Sequence, residues 1–357
     1  MAQYIYYSDV INNNIKKLTD AFCEKNLNFY HFYSVKTNPS QLVLNTIAKT
    51  DSSFEIVSNK EWNLIKNFKK KIIILNGPNK SLKLVKHILL QVNKLIFNVD
   101  NDSDLEILEK LPKHLRRKVF IGIRVYLPKN QNDWTRFGYN ILSPKTEKII
   151  KKINQTYKLN GIHFHSSTLA VESEKYINLI FEIAKIIKKL NLKLDYLDIG
   201  GGYVEPWDKK YQENMYTNIP EMISEKFPKL LIFGEHGRNI VSDSFDLKAK
   251  IATLKKVSNN RYIVNLDCNI YHFMCFFDHR YKVEYLSTLN GKTKNDFILD
   301  IYGNSCMQID FIAPDFVIHT QPHINDTILI KNIGAYSLSM ASDFITCKPK
   351  IMINKNL

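Results

Sequence analysis

Several short apolar runs of the sequence end in side chains that can do chemistry. One run ends in a lysine, and others carry carboxylates, a histidine pair, three successive glycines or an arginine. If the runs are parallel strands, their carboxyl ends meet at one edge of the sheet, and the pattern predicts a single site there. The residues concerned are Lys36, Glu55, Arg124, His163, His165, Gly200, Gly201, Gly202, Glu235, Gly237 and Arg238.

The glycines and the last arginine indicate a phosphate site. Glycines directly after a strand let backbone N–H groups approach a phosphate closely, and Arg238 adds a charged donor. A tight turn between a strand and a helix is the alternative explanation of the glycines. Both features follow the last two runs of the series, where barrel folds often bind phosphates, so phosphate binding is the better prediction.

Lys36 ends a run that otherwise points to a protein core. A lysine there must be desolvated or paired, and desolvation favours the neutral amine that forms a Schiff base. A lysine that simply reaches solvent is the alternative. With a phosphate site opposite, pyridoxal 5'-phosphate (PLP) explains both features. Glu235 would then face the ring nitrogen and keep it protonated.

His163 and His165 lie two apart on a predicted strand and therefore share a face. A metal pair of the amidohydrolase type is the alternative, but further His and Asp ligands are expected on later strands, and the next run ends in glycines. We therefore expect no metal. His165 is predicted to stack on the cofactor ring, with His163 packed one layer deeper.

The fold is predicted from apolar runs that alternate with amphipathic segments. Parallel strands joined by crossover helices have this pattern, and eight units predict a (β/α)8 TIM barrel of the α/β class over residues 22–245. An open, doubly wound sheet is the alternative. Residues 246–357, joined by 1–21, are predicted to form a largely antiparallel β domain. The eight runs are 28–35, 53–57, 71–75, 94–99, 119–125, 161–165, 194–199 and 230–235.

Composition excludes several classes of protein. The 357 residues are 45% hydrophobic and 24% charged, which argues against disorder, and no run is long enough to span a membrane. The net charge of +15 comes from lysines spread along the chain, so a solvated surface is expected rather than a nucleic-acid interface. Five scattered cysteines and the absence of a secretory leader favour the cytoplasm.

Seven motifs carry a resemblance to a known family. They are YSVKTN at 33–38, FEIVSNKE at 54–61, GIHFH at 161–165, LDIGGG at 197–202, EHGR at 235–238, GNSC at 303–306 and GAY at 334–336. In this order they resemble the motifs of the ornithine/diaminopimelate/carboxynorspermidine decarboxylase family, the fold-type III PLP enzymes. The resemblance implies an alanine-racemase-like barrel followed by a C-terminal β-barrel or sandwich domain.

The resemblance also implies roles for individual residues. Lys36 would form the internal aldimine, with Glu55 near the cofactor, and Cys306 of the partner subunit would return a proton to Cα after CO2 loss. The family forms homodimers with shared active sites, so a homodimer is implied. The expected cofactor contacts are Lys36, Arg124, His165, Ser167, Thr168, Gly200, Gly201, Gly202, Glu235, Gly237, Arg238 and Tyr336.

The departures from the family motifs concern the substrate. His236 replaces a proline, and Met307 stands where ornithine and diaminopimelate decarboxylases carry an acid. Asp310 is a partial substitute, and Asp267 is a further substrate-binding candidate. The amino-acid-type substrate is therefore open, and an anionic or carrier-linked substrate of a polyamine or natural-product pathway is compatible. A PLP-dependent racemase and a non-catalytic regulator built on the decarboxylase scaffold are the alternatives.

Overall fold

The computed structural model describes residues 1–128, 136–166, 173–273, 281–287 and 295–354, without the side chains of 210–212. The chain divides into two units, Asn12–Ile240 and a second one made of Met1–Ile11 with Val241–Leu357. The strands of the described residues are β1 (Gln3–Tyr6), β2 (Asn28–Ser34), β3 (Ser53–Ile56), β4 (Ile72–Leu75), β5 (Lys94–Val99), β6 (Val119–Tyr126), β7 (Tyr139–Asn140), β8 (Gly161–Phe164), β9 (Tyr196–Asp198), β10 (Leu231–Gly234), β11 (Phe245–Lys256), β12 (Arg261–Leu266), β13 (Lys282–Leu286), β14 (Phe297–Tyr302), β15 (Phe311–Ile318), β16 (Thr327–Lys331) and β17 (Lys350–Ile353).

Helices separate the strands of the first unit, as the amphipathic segments predict. A short 3₁₀ turn, Val35–Thr37, follows β2. The α-helices are α1 (Ser8–Cys23), α2 (Gln41–Ala48), α3 (Asn59–Ile65), α4 (Leu82–Leu89), α5 (Asp102–Lys110), α6 (Lys113–Arg116), α7 (Pro144–Tyr157), α8 (Glu174–Leu190), α9 (Lys209–Lys226), α10 (Arg238–Val241) and α11 (Ser337–Met340).

Two helices differ from the prediction. α1 lies ahead of the first barrel strand, where no helix was predicted, and its buried Ile11, Leu18 and Phe22 recur at helical spacing. The apolar periodicity predicts a helix over residues 219–227 only, whereas α9 begins at Lys209, because its first half is largely polar and gives little apolar periodicity. No helix of the described residues is long and apolar enough to cross a membrane.

The first unit is a closed parallel barrel. Its sheet runs in the order β5-β4-β3-β2-β10-β9-β8-β6, with the short β7 beside β6, and β5 also pairs with β6. That last pairing closes the cylinder and excludes the open, doubly wound alternative. All eight predicted runs are barrel strands, so the predicted (β/α)8 architecture is confirmed.

The floor of the barrel is apolar. Tyr196 stacks on Phe233 with ring centroids 4.8 Å apart. Gly161 on the neighbouring strand leaves room for the phenol, because a Cβ there would lie 2.3 Å from a Tyr196 ring carbon. This packed layer excludes water from the lower barrel. Its members are Phe32, Ile74, Ile96, Tyr196 and Phe233.

The second unit is a mixed β-sheet. Its strands run in the order β13-β16-β11-β12-β14-β15, with β1 beside β11 and β17 beside β1. Most neighbours are antiparallel, as predicted, but β12 with β14 and β1 with β17 are parallel. The N-terminal strand joins this sheet through β11.

One buried histidine of the barrel wall makes stability depend on pH. His31 in β2 is 5% exposed, and its ring nitrogens contact Ser52 Oγ at 2.8 Å and the His236 carbonyl oxygen at 2.9 Å. Burial lowers the pKa of His31 from 6.5 to about 4. The folded protein therefore keeps a neutral imidazole where the unfolded chain binds a proton.

We expect the free energy of unfolding to fall as the pH drops through this window. The contribution of His31 is complete above pH 6.5 and is lost towards pH 4, an effect of about 3 kcal/mol. Urea unfolding at a series of pH values measures this loss, and His31→Gln should flatten the profile. His87→Gln, which changes an exposed histidine of α4, is the matched control. A His31→Gln profile that superimposes on the wild-type profile would contradict the assignment.

Candidate active site

Polar side chains form a second layer directly above the apolar floor. Residues two apart on a strand point to the same face. A strand with an apolar residue in the floor therefore has the residue two positions later in the next layer. All five polar residues placed in this way are buried. The pairs are Phe32 and Ser34, Ile74 and Asn76, Ile96 and Asn98, Tyr196 and Asp198, and Phe233 and Glu235.

Lys36 lies just beyond β2 at the mouth of the barrel. Its Nζ is 3.0 Å from Glu55 Oε2, and its side chain is 45% exposed whereas that of Glu55 is 1% exposed. Ser34 Oγ donates to the same oxygen at 2.6 Å. Lys36 is therefore paired, and a buried carboxylate holds an accessible amine in a defined place.

Glu235 is a buried carboxylate whose charge is compensated within the polar layer. Its Oε1 accepts a hydrogen bond from Asn76 Nδ2 at 2.5 Å, and its Oε2 lies 3.5 Å from His163 Nε2. Burial acts to raise the pKa of Glu235, but His163 and a hydrogen bond to Asp198 outweigh it and hold that pKa below its ordinary value. Glu235 is therefore an anion inside the barrel.

Asp198 is the second carboxyl group of this layer and is fully buried. Its Oδ2 accepts a hydrogen bond from Asn98 Nδ2 at 3.0 Å, and its Oδ1 accepts one from the Gly200 N–H at 3.0 Å. Burial, followed by the neighbouring Glu235 charge, raises the pKa of Asp198 well above its ordinary value. The two carboxyl groups thus differ sharply in their affinity for a proton.

His163, Asp198 and Glu235 bring one nitrogen or oxygen atom each to within 4.8 Å of one another. Such a trio has the composition of a cation site or of an acidic pole for a protonated ring nitrogen. Asn76 and Asn98 already donate to its carboxyl oxygens, and Asn98 Nδ2 also donates to Asn76 Oδ1 at 3.0 Å. The two carboxyl groups of the trio are therefore part of a continuous hydrogen-bond network, and the His163 ring lies 3.5 Å from Glu235.

The turn after β9 requires its glycines. Gly200 and Gly202 have φ angles of 64° and 98°, in the region that favours glycine. A Cβ on Gly200 would lie 2.4 Å from the Phe164 carbonyl oxygen, and one on Gly201 would lie 2.4 Å from the Glu235 carbonyl oxygen. The turn thus packs against the ends of β8 and β10, with its backbone close to the mouth.

His165 lies beside this turn, where its Nδ1 accepts a hydrogen bond from the Gly201 N–H at 3.2 Å. Burial, followed by the positive charges of Arg124 and Lys36, lowers the pKa of His165 to about 3. The imidazole is therefore neutral. A neutral imidazole can stack on an aromatic ring without the cost of burying a charge. Arg124 NH1 lies 3.5 Å from Asp100 Oδ1, which fixes the guanidinium near the same mouth.

Arg238 follows the last barrel strand and pairs with Glu205. Arg238 NH1 lies 3.3 Å from Glu205 Oε1, and both side chains are buried. Gly237 leaves no room for a side chain, because a Cβ there would lie 2.1 Å from Thr37 Oγ1. The predicted phosphate ligand is thus held by a carboxylate from the loop after the glycine turn.

In the β unit, Cys306 and Met307 are exposed, whereas Asp310 is buried. Asp310 Oδ1 accepts a hydrogen bond from the Ile270 N–H and its Oδ2 accepts one from the Ser305 N–H, both at 2.8 Å. The Asp310 carboxylate therefore joins its own loop to the segment that contains Ile270. Its predicted contact with a substrate stays a prediction.

The remaining candidates lie in the β unit or outside the described residues. Asp267 accepts a hydrogen bond from the Lys250 N–H at 2.8 Å and lies 3.5 Å from the Met1 amine. Tyr336 has a φ of 62° at the start of α11. Ser167 and Thr168 are not among the described residues.

Four polar residues of the site, Asn76, Asn98, Asp198 and Glu205, were not predicted from the sequence. Asn76 and Asn98 link the carboxyl groups of the polar layer, and Glu205 pairs with Arg238. The asparagines were detectable, since each follows a core residue by two positions on a buried strand. Glu205 follows the glycine turn in a loop and has no comparable signal.

The donor set fits PLP. The PLP ring has a basic nitrogen, and an anion opposite that nitrogen keeps it protonated. Glu235 is a buried anion. An aldehyde needs an accessible amine, which Lys36 offers. A phosphate needs backbone N–H groups and a cation. The Gly200 and Gly201 N–H groups donate to Asp198 and His165, so the Gly202 end of the turn and the Arg238 guanidinium are the candidates.

Comparison with known proteins gives relatives over nearly the full chain. The diaminopimelate decarboxylase of Campylobacter jejuni is 26% identical over 360 residues, which covers 96% of this chain and 88% of that protein. The probable ornithine decarboxylase of Dictyostelium discoideum is 25% identical over 347 residues, covering 90% and 73%.

Solved structures share the fold. The lysine/ornithine decarboxylase of Vibrio vulnificus complexed with cadaverine has a TM-score of 0.82 at 21% identity, covering 100% of this chain and 95% of that one. The diaminopimelate decarboxylase of M. jannaschii has a TM-score of 0.84 at 19% identity, covering 99% and 87%.

A family model decides the assignment. The model of the pyridoxal binding domain of pyridoxal-dependent decarboxylases matches residues 9–242, more than half of the chain and the whole barrel. The chain therefore belongs to the pyridoxal-dependent decarboxylases, enzymes that use PLP as their cofactor.

Proposed function

We propose that this decarboxylase removes the α-carboxylate of an amino acid with a long side chain, of the class to which diaminopimelate, ornithine and lysine belong. The observation that carries the proposal is the placement of one accessible amine and one buried anion, Lys36 and Glu235, in the same barrel. When bound, PLP supplies an electron sink for the carbanion left by CO2 loss. The names of the relatives support the substrate class.

Lys36 is proposed to bind the cofactor aldehyde covalently. Its amine stands 3.0 Å from Glu55 Oε2, and Asn76 Nδ2 lies 3.3 Å from the other Glu55 oxygen. Glu55 therefore fixes the direction of the amine and can accept a proton from it. The half-exposed lysine remains within reach of ligands that enter the mouth.

The other barrel residues are proposed to hold the remaining parts of the cofactor. Glu235 faces the ring nitrogen, and the neutral His165 stacks on the ring. The phosphate lies on the glycine turn, where Arg238 supplies the charged donor. The further phosphate and ring contacts proposed are Arg124, Ser167, Thr168, Gly237 and Tyr336.

Cys306 is proposed as the proton donor to the substrate Cα, acting in the site of a second subunit. Asn269 Nδ2 lies 3.2 Å from Asn304 Oδ1 and 3.3 Å from the Phe344 carbonyl oxygen, so the cysteine loop is tied to a second loop. Exposed apolar side chains lie on both loops, which is typical of a surface covered by a partner. These side chains are Met307, Ile309, Phe344 and Ile345.

The same loop bears on the substrate. Met307 cannot pair with an ammonium, and both oxygens of Asp310 already accept backbone hydrogen bonds. A substrate whose distal end does not depend on an acid from this loop fits these contacts. Amino acids with an anionic or amide-linked distal group therefore belong in the substrate panel beside the diamino acids.

Lys36→Ala is expected to remove the borohydride-stable cofactor adduct and to lower CO2 release by about three orders of magnitude or more, because the covalent attachment point is lost. Mass spectrometry of the reduced protein locates the adduct on the peptide that contains Lys36. Lys60→Ala, which changes a nearby exposed lysine, should retain both the adduct and the activity.

The substrate panel separates the alternatives. CO2 release from at least one amino acid supports the decarboxylase. Loss of optical activity without CO2 release would support a racemase, and a loaded cofactor with no turnover of any substrate would support a non-catalytic regulator. An adduct on a different lysine would overturn the role of Lys36.

Cys306→Ala is expected to slow product formation about a hundredfold, the usual contribution of a positioned proton donor. Cys23→Ala, at another exposed cysteine, is the matched control. If sites are shared, an equimolar mixture of Lys36→Ala and Cys306→Ala chains should regain roughly a quarter of wild-type activity, because half of the dimers are mixed and each has one intact site. A mixture no more active than its components would contradict the shared site.

A further inference from the structure

Two carboxyl groups of the barrel are sealed into the same dry layer. Asp198 is 0% exposed and Glu235 is 7% exposed, and their oxygens lie within 4.8 Å of each other and of a His163 nitrogen. The apolar floor formed by Tyr196, Phe233 and their neighbours lies directly beneath them.

Two carboxylates in such a space cannot both be ionised, because their repulsion adds to the cost of removing each charge from water. One proton must therefore reside on the pair. His163, at 3.5 Å from Glu235, is the closest candidate cation within the layer, and it faces Glu235 rather than the apolar floor.

Several contacts decide which carboxyl group holds the proton. Glu235 contacts His163 and accepts a hydrogen bond from Asn76 Nδ2 at 2.5 Å. Asp198 is more deeply buried, and its pKa is raised by burial and by the Glu235 charge. The hydrogen bonds that Asp198 accepts from Asn98 and Gly200 favour its ionisation. These two neutral amide donors compensate a buried charge less than the imidazole and the amide beside Glu235 do.

We propose that Asp198 is a neutral carboxylic acid that donates its proton in a hydrogen bond to Glu235 and thereby positions that anion. The hydrogen bond transfers no proton and fixes the orientation of the Glu235 carboxylate. Asn98 stabilises this arrangement within the same layer. Its Oδ1 accepts a hydrogen bond from the Tyr196 hydroxyl at 3.0 Å, and its Nδ2 donates one to Asp198 Oδ2. Asp198 is a positioning residue, because it acts on the cofactor through Glu235.

Infrared difference spectroscopy of the PLP-loaded protein tests the location of the proton. At neutral pH the wild-type protein should show the carbonyl stretch of a protonated carboxylic acid that disappears in Asp198→Asn. The same band should remain in Asp104→Asn, which changes another buried acid whose pKa is raised by burial. A spectrum that is unchanged by Asp198→Asn would overturn the proposal.

Neutron diffraction from deuterated wild-type crystals needs no variant and therefore decides the matter even if Asp198→Asn does not fold. A deuterium atom on an Asp198 oxygen, directed at Glu235, is expected. A deuterium atom on Glu235, or none on either group, would overturn the proposal.

The consequence for the cofactor rests on the proposed role of Glu235 and has its own readout. Asp198→Asn keeps a donor towards Glu235, whereas Asp198→Ala removes it, so PLP should dissociate about tenfold more readily from the alanine variant. Equal dissociation constants would refute the positioning role. Neither measurement involves CO2 release, so failure of the proposed reaction would leave the test of Asp198 intact.

Discussion

A carboxylate sealed inside a barrel is stable only if neighbouring groups replace the water it has lost. Glu235 is this carboxylate, and side chains from other strands of the barrel are adapted to it. Asn76 donates to it from β4, and His163 faces it from β8. These side chains occupy positions that apolar residues would otherwise fill. The polar layer is therefore a consequence of one buried charge.

The barrel separates the fixed parts of the site from the accessible ones. Groups that must hold one orientation lie on strands, where neighbouring side chains and backbone restrict their rotamers. Lys36 instead lies just past β2 in a 3₁₀ turn, with its amine held by Glu55 and its side chain partly in solvent. An amine in that position can meet a ligand that enters from the mouth, while Glu235 remains shielded below.

Apolar runs predict the barrel well, because strands buried on both faces leave long apolar segments at regular spacing. The strand ends also indicate Lys36, Glu55 and Glu235, since charged residues are conspicuous at the end of such runs. Asn76 and Asn98 are not conspicuous: a single amide after an apolar run is also typical of a turn. Their role depends on register between strands, which one sequence does not reveal.

Contacts between loops were equally hidden from the sequence. The buried pair of Arg238 and Glu205 joins two loops that follow different strands, and no spacing rule relates them. In the β unit, the expected contact of Asp310 with a substrate stays a prediction, and its oxygens accept hydrogen bonds from the backbone of Ile270 and of Ser305. Acidic residues in loops serve either purpose, and only the local hydrogen bonds distinguish them.

We propose that Glu235, as a compensated anion, keeps the ring nitrogen of bound PLP protonated. ¹⁵N NMR of the enzyme loaded with ring-labelled PLP measures this state directly. We expect a protonated ring nitrogen in the wild-type protein at neutral pH and an unprotonated ring nitrogen in Glu235→Gln. An unprotonated nitrogen in the wild type, or a signal that does not respond to Glu235→Gln, would contradict this proposal.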